Sequence, residues 1–300
     1  MGQRAVSVII PTNRGGPYLA EAAASVAAQT VAASEVILVD DGSAAPGFAD
    51  IAEGLGITYL RQDASGLSVA RNAGAARASG DWIAFLDDDD VWHPDRLARQ
   101  FDALDAHPDA IACATGGWYM DAGGNRFGEG WAARAASADE MLRGVVPFPR
   151  ITTLLIRRDA YLAVGGCDRA TEPSEDNDLI MRLLQVGEFT TVDAPLVGYR
   201  RHGSNVTART LRGRRAGHRN ITRLRDLAAR NGDDEAAAQL AENLRGFREQ
   251  SARENLADFG GAVRRREWSY AWSVAWWGLR TVPGPTFRAM RERAAAWGGA

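Results

Sequence analysis

Four consecutive aspartates, Asp87-Asp88-Asp89-Asp90, follow directly on the apolar run Ile83-Ala84-Phe85-Leu86. Two carboxylates about 4 Å apart repel by roughly 1 kcal/mol in water and by about 4 kcal/mol at an effective dielectric of 20. A chain tolerates such a run where a cation binds or where solvent screens it. The core-like run just upstream puts this one at the end of a buried strand, which predicts a site for a hard divalent ion. Mg²⁺ or Mn²⁺ takes oxygen ligands, typically one or two carboxylates together with substrate phosphates. Asp87 and Asp89, two residues apart, can aim at one ion from the same side; a solvated acidic turn is the alternative.

Three further groups carry possible chemistry. Asp40-Asp41-Gly42-Ser43 offers carboxylates to a base or ribose, with Gly42 permitting a tight turn, or it is simply a turn with a cap at Ser43. Arg71 and Asn72 sit early in a helix-like stretch, where a guanidinium can contact phosphate or hold an aspartate in place. Glu175-Asp176-Asn177-Asp178 opens another helix, just after Gly165-Gly166-Cys167-Asp168. Acids in a first helical turn are favoured by the helix dipole alone. A carboxylate there can equally serve as the base that takes a proton from a hydroxyl.

The elements around these groups alternate short β-branched runs with helical stretches, as an α/β fold with a βαβ sheet requires. Strands are predicted over 6–10, 35–40, 57–60 and 82–87, and helices over 17–29, 67–78 and 94–106. The apolar runs are nearly continuous, which suits mostly parallel strands covered on both faces. Ligands of such sheets sit at the carboxyl ends of the strands. There Pro11-Thr12-Asn13, Asp40-Asp41 and the aspartate run define one polar rim. Further strands are predicted over 110–115, 151–156 and 197–201, a helix over 175–185, and an irregular stretch over 116–144.

The bulk composition fits a globular enzyme: 300 residues, 46% hydrophobic, 24% charged, net charge −3. Two distant cysteines, Cys113 and Cys167, lack zinc-site spacing and read as buried thiols of a reducing cytosol. The start at Met1 predicts no export leader, and no stretch reaches the roughly 18 apolar residues of a membrane span. The charge is uneven. Residues 196–300 carry 20 Arg against 10 Asp and Glu, or +10, so residues 1–195, with 15 against 28, carry −13.

Taken in order, Val8-Ile9-Ile10-Pro11-Thr12, Val39-Asp40-Asp41-Gly42-Ser43, Ala70-Arg71-Asn72-Ala73-Gly74, Phe85-Leu86-Asp87-Asp88-Asp89-Asp90, Val164-Gly165-Gly166-Cys167-Asp168 and Glu175-Asp176 resemble the motifs of family 2 glycosyltransferases. Tyr199-Arg200-Arg201-His202 and Ser204-Asn205 resemble the close of that family's catalytic domain. The resemblance covers about residues 5–205. It implies a Rossmann-like GT-A fold, with a mostly parallel central sheet flanked by helices, and an inverting transfer from a nucleotide-diphospho-sugar. By position it implies that Pro11, Thr12, Asn13, Asp40, Asp41, Arg71, Asp87, Asp88, Arg201 and His202 contact the donor. Asp87 and Asp89 would hold Mn²⁺ or Mg²⁺, Asp89 more directly, and Asp176 with Glu175 beside it would be the base. Cys167 stands where such chains commonly have Phe, and Asp88 lengthens the acidic run.

The organisation expected is therefore a catalytic domain over 1–205 and a helical, Arg- and Trp-rich extension over 206–300. Within 264–280, Arg264-Arg265-Arg266 precedes Trp268, Tyr270, Trp272, Val274, Trp276, Trp277 and Leu279. This composition suits peripheral contact with a membrane, or packing on protein, because the apolar positions are spread around the helix. The resemblance implies a bacterial envelope polysaccharide or lipid-linked glycan as the acceptor, and Trp118, Trp131 and Phe148 could stack on sugar or simply pack. The expected location is the cytoplasm or the inner face of the cell membrane, and a homo-oligomer is allowed. A sugar-phosphate nucleotidyltransferase and a non-catalytic sugar-nucleotide-binding subunit are the competing readings. Nucleic-acid binding finds no module.

Overall fold

A computed structural model of the chain describes residues 5–13, 16–44, 47–134, 140–141, 148–202, 211–230 and 232–298, with only the backbone for 291–298. Ser204 and Asn205, read above as the close of the catalytic domain, lie outside the described residues.

The Val/Ile-rich run after Ala5 forms β1 (Val6–Thr12), buried along its whole length. It lies between β2 (Glu35–Asp41) and β4 (Trp82–Phe85), parallel to both, and β2 carries the parallel β3 (Thr58–Gln62). Beyond β4 the pairing becomes mixed. β8 (Leu154–Arg157) is antiparallel to β4 and to β6 (Ala112–Met120), while β9 (Phe189–Arg200) runs parallel to β6. The two-residue β5 (Val91–Trp92) pairs with β9, and β7 (Arg126–Trp131) returns on β6 as a hairpin. The strand order is β3-β2-β1-β4-β8-β6-β9-β5, with β7 alongside β6.

Helices cover the sheet with the predicted periodicity. α1 (Leu19–Ala27) buries Leu19, Ala22, Ala23 and Val26. α4 (Arg96–Ala106) buries Leu97, Phe101 and Leu104. Between them lie the short α2 (Phe48–Gly54) and α3 (Leu67–Arg77). Gly74 lets α3 lie directly on the sheet, because a Cβ there would collide with the side chain of Ile9. After β8 come α5 (Arg158–Ala163) and α6 (Glu175–Leu183).

Three expectations are corrected. The strand predicted over 110–115 continues to Met120 and turns into a hairpin inside the stretch read as irregular. The strand predicted over 197–201 is twelve residues long and begins at Phe189. Ile151–Thr153 is a 3-10 turn, and strand structure starts only at Leu154.

The chain divides into two compact units, Met1–Met141 with Val145–Asn205, and Leu142–Gly144 with Val206–Ala300. The second is helical: α7 (Leu211–Arg230), α8 (Asp234–Arg264), α9 (Trp268–Thr281) and α10 (Pro283–Gly298). Its apolar cluster joins Leu211, Ala252, Val274, Trp277, Val282 and Ala289. Among the described residues, no helix is long and apolar enough to cross a membrane.

Candidate active site

β1, β2 and β4 run parallel, so their carboxyl ends present Thr12, Asp40-Asp41 and the aspartate run at one edge. Pro11 is buried inside β1, and Asn13 is exposed just beyond it. The Thr12 hydroxyl donates to the Asp88 carboxylate, tying the first strand end to the aspartates.

The aspartates face different partners. Asp87 Oδ1 accepts from Arg71 Nη2 at 2.8 Å. Asp89 Oδ2 lies 2.9 Å from His202 Nε2. Burial first, and then the neighbouring Asp87, raise the Asp89 carboxyl above its ordinary value, with His202 working against them. Asp90 is fully buried. Its Oδ1 accepts from the Arg200 backbone N–H at 3.0 Å, and its Oδ2 has no hydrogen-bond partner among the described residues. Burial first, and then the neighbouring Asp87 and Asp89, push its carboxyl well above its ordinary value.

Arg71 is the link between distant parts of the chain. It is buried on α3, its Nη2 bonds Asp87, and its Nη1 bonds Glu175 Oε1 at 2.7 Å. Burial opposes its charge, but Asp87 and Glu175 outweigh it and hold the guanidinium protonated. The planar fork of arginine can serve two carboxylates at once, which an ammonium does less well. Through this residue the aspartate run and the start of α6 share one site.

Asp176, next to Glu175, has its carboxyl pushed up to about 6, by burial first and then by the Glu175 charge. Its Oδ1 accepts from the Asn177 N–H at 2.9 Å. The start of α6 is held against α3 by a second polar group. Asn72 donates to the Cys167 carbonyl and accepts from the Cys167 N–H and the Tyr161 hydroxyl. Gly166 adopts φ +65°, and a Cβ there would strike the Asn72 carboxamide. Glu172 Oε1 accepts from the Ser68 N–H at 2.8 Å and so binds the first turn of α3.

Asp40 and Asp41 are buried, and their oxygens organise the loops around them. Asp40 accepts from the Ser43 N–H, the Tyr59 hydroxyl at 2.7 Å and Arg61 at 2.5 Å. Burial raises its carboxyl, but these donors prevail and hold it below its ordinary value. Asp41 accepts from the Ser65 and Gly66 N–H groups and from Gln62. Arg201, expected near the diphosphate, is exposed with its guanidinium 4.2 Å from the centre of the Tyr119 ring. Trp131 packs with Tyr119 and Tyr199 around Arg150, and Trp118 lies under Arg126. Phe148 is half-buried.

Asp87 and Asp89 supply hard oxygen donors at one strand end. Among the described residues, no three His, Cys, Asp or Glu side chains form a ready cage. That donor set fits an ion that keeps positions for phosphate oxygens and water, as Mg²⁺ does.

Over residues 7–165, more than half of its length, the sequence matches the family model described as Glycosyl transferase family 2. The chain belongs to that family. The chain is 27% identical over 195 residues to an uncharacterized glycosyltransferase of Haemophilus influenzae, covering 62% of the chain and 64% of the relative. It is 30% identical over 219 residues to one of Nostoc sp., covering 67% and 66%. It is 40% identical over 108 residues to the succinoglycan biosynthesis protein ExoW of Rhizobium meliloti, covering 33% and 34%. The chain thus spans under two thirds of the Haemophilus relative and about a third of ExoW. Among solved structures, S. aureus TarS 1-349 in complex with UDP-GlcNAc superposes with a TM-score of 0.63 at 16% identity, covering 79% of this chain and 71% of that one. The fold is of the GT-A type, a mixed sheet flanked by helices with further helices at the C-terminus.

Arg200 is a further participant, which the motifs did not single out. It is buried, and besides its N–H to Asp90 it donates to the Asp89 carbonyl at 2.8 Å, to the Asp121 and Ala122 carbonyls, and to Glu21 at 2.6 Å. Its guanidinium also lies 4.4 Å from the centre of the Tyr18 ring. The available signal was its place beside His202 in a motif otherwise given to substrate. Tyr59 and Arg61, the partners of Asp40, carried no sequence signal.

Proposed function

We propose that this family 2 transferase moves a sugar from a nucleotide-diphosphate donor to an acceptor hydroxyl with inversion, aided by a divalent cation, in the synthesis of an envelope polysaccharide or lipid-linked glycan. The observation that carries the reading is the double contact of Arg71, which gathers the aspartates and the Glu175-Asp176 pair at one place. The TarS complex with UDP-GlcNAc and the relatives named for polysaccharide synthesis support a nucleotide-sugar donor and a glycan acceptor.

The chemistry assigns separate tasks. Asp87 and Asp89 would hold the cation, which neutralises charge that develops on the leaving diphosphate. His202, against Asp89, would donate to a phosphate oxygen of the donor. Arg71 keeps Asp87 and Glu175 in place while remaining charged. Asp176 takes the acceptor proton, and a carboxyl that titrates near 6 is ionised at neutral pH yet basic enough for the task. Attack from the face opposite the diphosphate inverts the anomeric carbon.

The test is product analysis with purified protein, Mn²⁺ and a panel of nucleotide sugars. Release of nucleoside diphosphate that depends on acceptor supports the reading, and Asp176→Asn is expected to lower it on the order of a hundredfold or more. Release of pyrophosphate from a nucleoside triphosphate would assign a nucleotidyltransferase instead.

A further inference from the structure

The α9 helix has two faces that the sequence could not separate. Ala271, Val274, Trp277 and Gly278 are buried, and Val274 and Trp277 join the apolar cluster of the helical unit. Trp268, Trp272 and Trp276 are instead 58%, 72% and 61% exposed, with Leu279 at 41%. At about 100° per residue these four positions fall within an arc of roughly 80°, on the side away from the packed residues. The stripe from Trp268 to Trp276 is about 12 Å long at 1.5 Å per residue.

The geometry points to this stripe as the surface on which the protein rests on a membrane containing anionic lipid. Three considerations select that occupant. Indole rings favour the boundary between headgroups and acyl chains, where an apolar ring and a polar N–H are both satisfied. Arg264, Arg265, Arg266 and Arg280 flank the stripe against the single acid Glu267, which Arg265 pairs, so the surroundings complement negative headgroups. The helix has 14 residues, about 21 Å against a hydrocarbon core of about 30 Å, so it lies along the surface and does not span it. A second copy of the chain is the weaker occupant. Three indoles exposed to this degree offer roughly 450 Å², below the roughly 800 Å² per partner of a stable interface.

The inference is independent of the transfer chemistry, and its test separates the two. The full chain is floated with vesicles of phosphatidylglycerol and phosphatidylcholine, and with phosphatidylcholine alone. A Trp268→Ser, Trp272→Ser, Trp276→Ser variant is run beside it, with circular dichroism to check its fold. The expected result is flotation with the anionic vesicles, weakened by salt, and a loss of at least about tenfold in the variant. Transfer to a water-soluble acceptor should be unchanged in the variant, because the stripe carries no site residue. Wild-type protein that stays at the bottom of the gradient, or a variant that floats equally well, overturns the proposal. So does a dimer in sedimentation velocity that the variant converts to monomer without any vesicle binding. If the variant misfolds, quenching of wild-type tryptophan fluorescence by lipids brominated on the acyl chains decides, and its absence overturns the proposal.

Discussion

Asp176 holds its proton more tightly than an exposed aspartate does, and the sign of that shift fixes two measurements. With a carboxyl near 6, raised by burial and by Glu175, the ionised fraction is about nine tenths at pH 7 and about one tenth at pH 5. Transfer should therefore fall on an acid limb centred near pH 6, and a limb near pH 4 would remove Asp176 as the titrating base. The same shift acts on stability. The folded chain binds a proton that the unfolded chain has released between about pH 4 and pH 6, so stability drops as pH rises through that window. Asp176→Asn removes the penalty. It should be inactive yet melt higher than wild type at pH 7, with no such gain below about pH 4. Asp90 makes a contrasting case. Its Oδ2 is buried without a hydrogen-bond partner among the described residues, so Asp90→Asn should be tolerated far better than Asp89→Ala, which is expected to cost on the order of a hundredfold in transfer.

At the scale of elements, β1, β2 and β4 were legible because each is an unbroken apolar run that ends in a polar cluster. The aspartate run, Arg71 and the Glu175-Asp176 pair were equally legible as residue types at strand and helix ends. What the sequence concealed was length in the second half of the sheet. Gly116 and Gly117 interrupt β6 and Pro195 interrupts β9, yet the two strands pair across the irregularity, with the register shifting at Gly116. The β6–β7 turn is closed locally by Asp121, which accepts from the Gly123 and Asn125 N–H groups; its Asp-Ala-Gly-Gly-Asn sequence is a turn signal overlooked in a Gly-rich stretch. The role of Arg200 was hidden because its partners lie in three other segments, at Glu21, Asp89-Asp90 and Asp121-Ala122. Arg200→Met should release the aspartate segment from β9. The expected outcome is a lower melting temperature together with weaker donor binding, measured calorimetrically as a rise in Kd.

At the scale of the whole molecule, ligand binding and stability report on each other. A nucleoside diphosphate that occupies the site should raise the melting temperature in proportion to the logarithm of its concentration over Kd. The rise should grow when Mn²⁺ is added, and a chelator should cancel that increment. An identical shift with and without the ion would argue against a cation held by Asp87 and Asp89. Arg71→Ala leaves Asp87 and Glu175 facing each other uncompensated, and should cost about 3–5 kcal/mol in urea denaturation. The forked contact of that arginine also sets how variants combine. Asp87 and Glu175 are 88 positions apart in sequence but answer to the same cation, so replacing either one leaves Arg71 leaning on the other. Substitutions at the two positions should show epistasis, the double variant costing more than the sum of the singles by more than the 0.3–0.5 kcal/mol or so expected of independent sites. Neither half of the centre can then drift on its own, and a change at Asp87 has to be matched by one at Glu175.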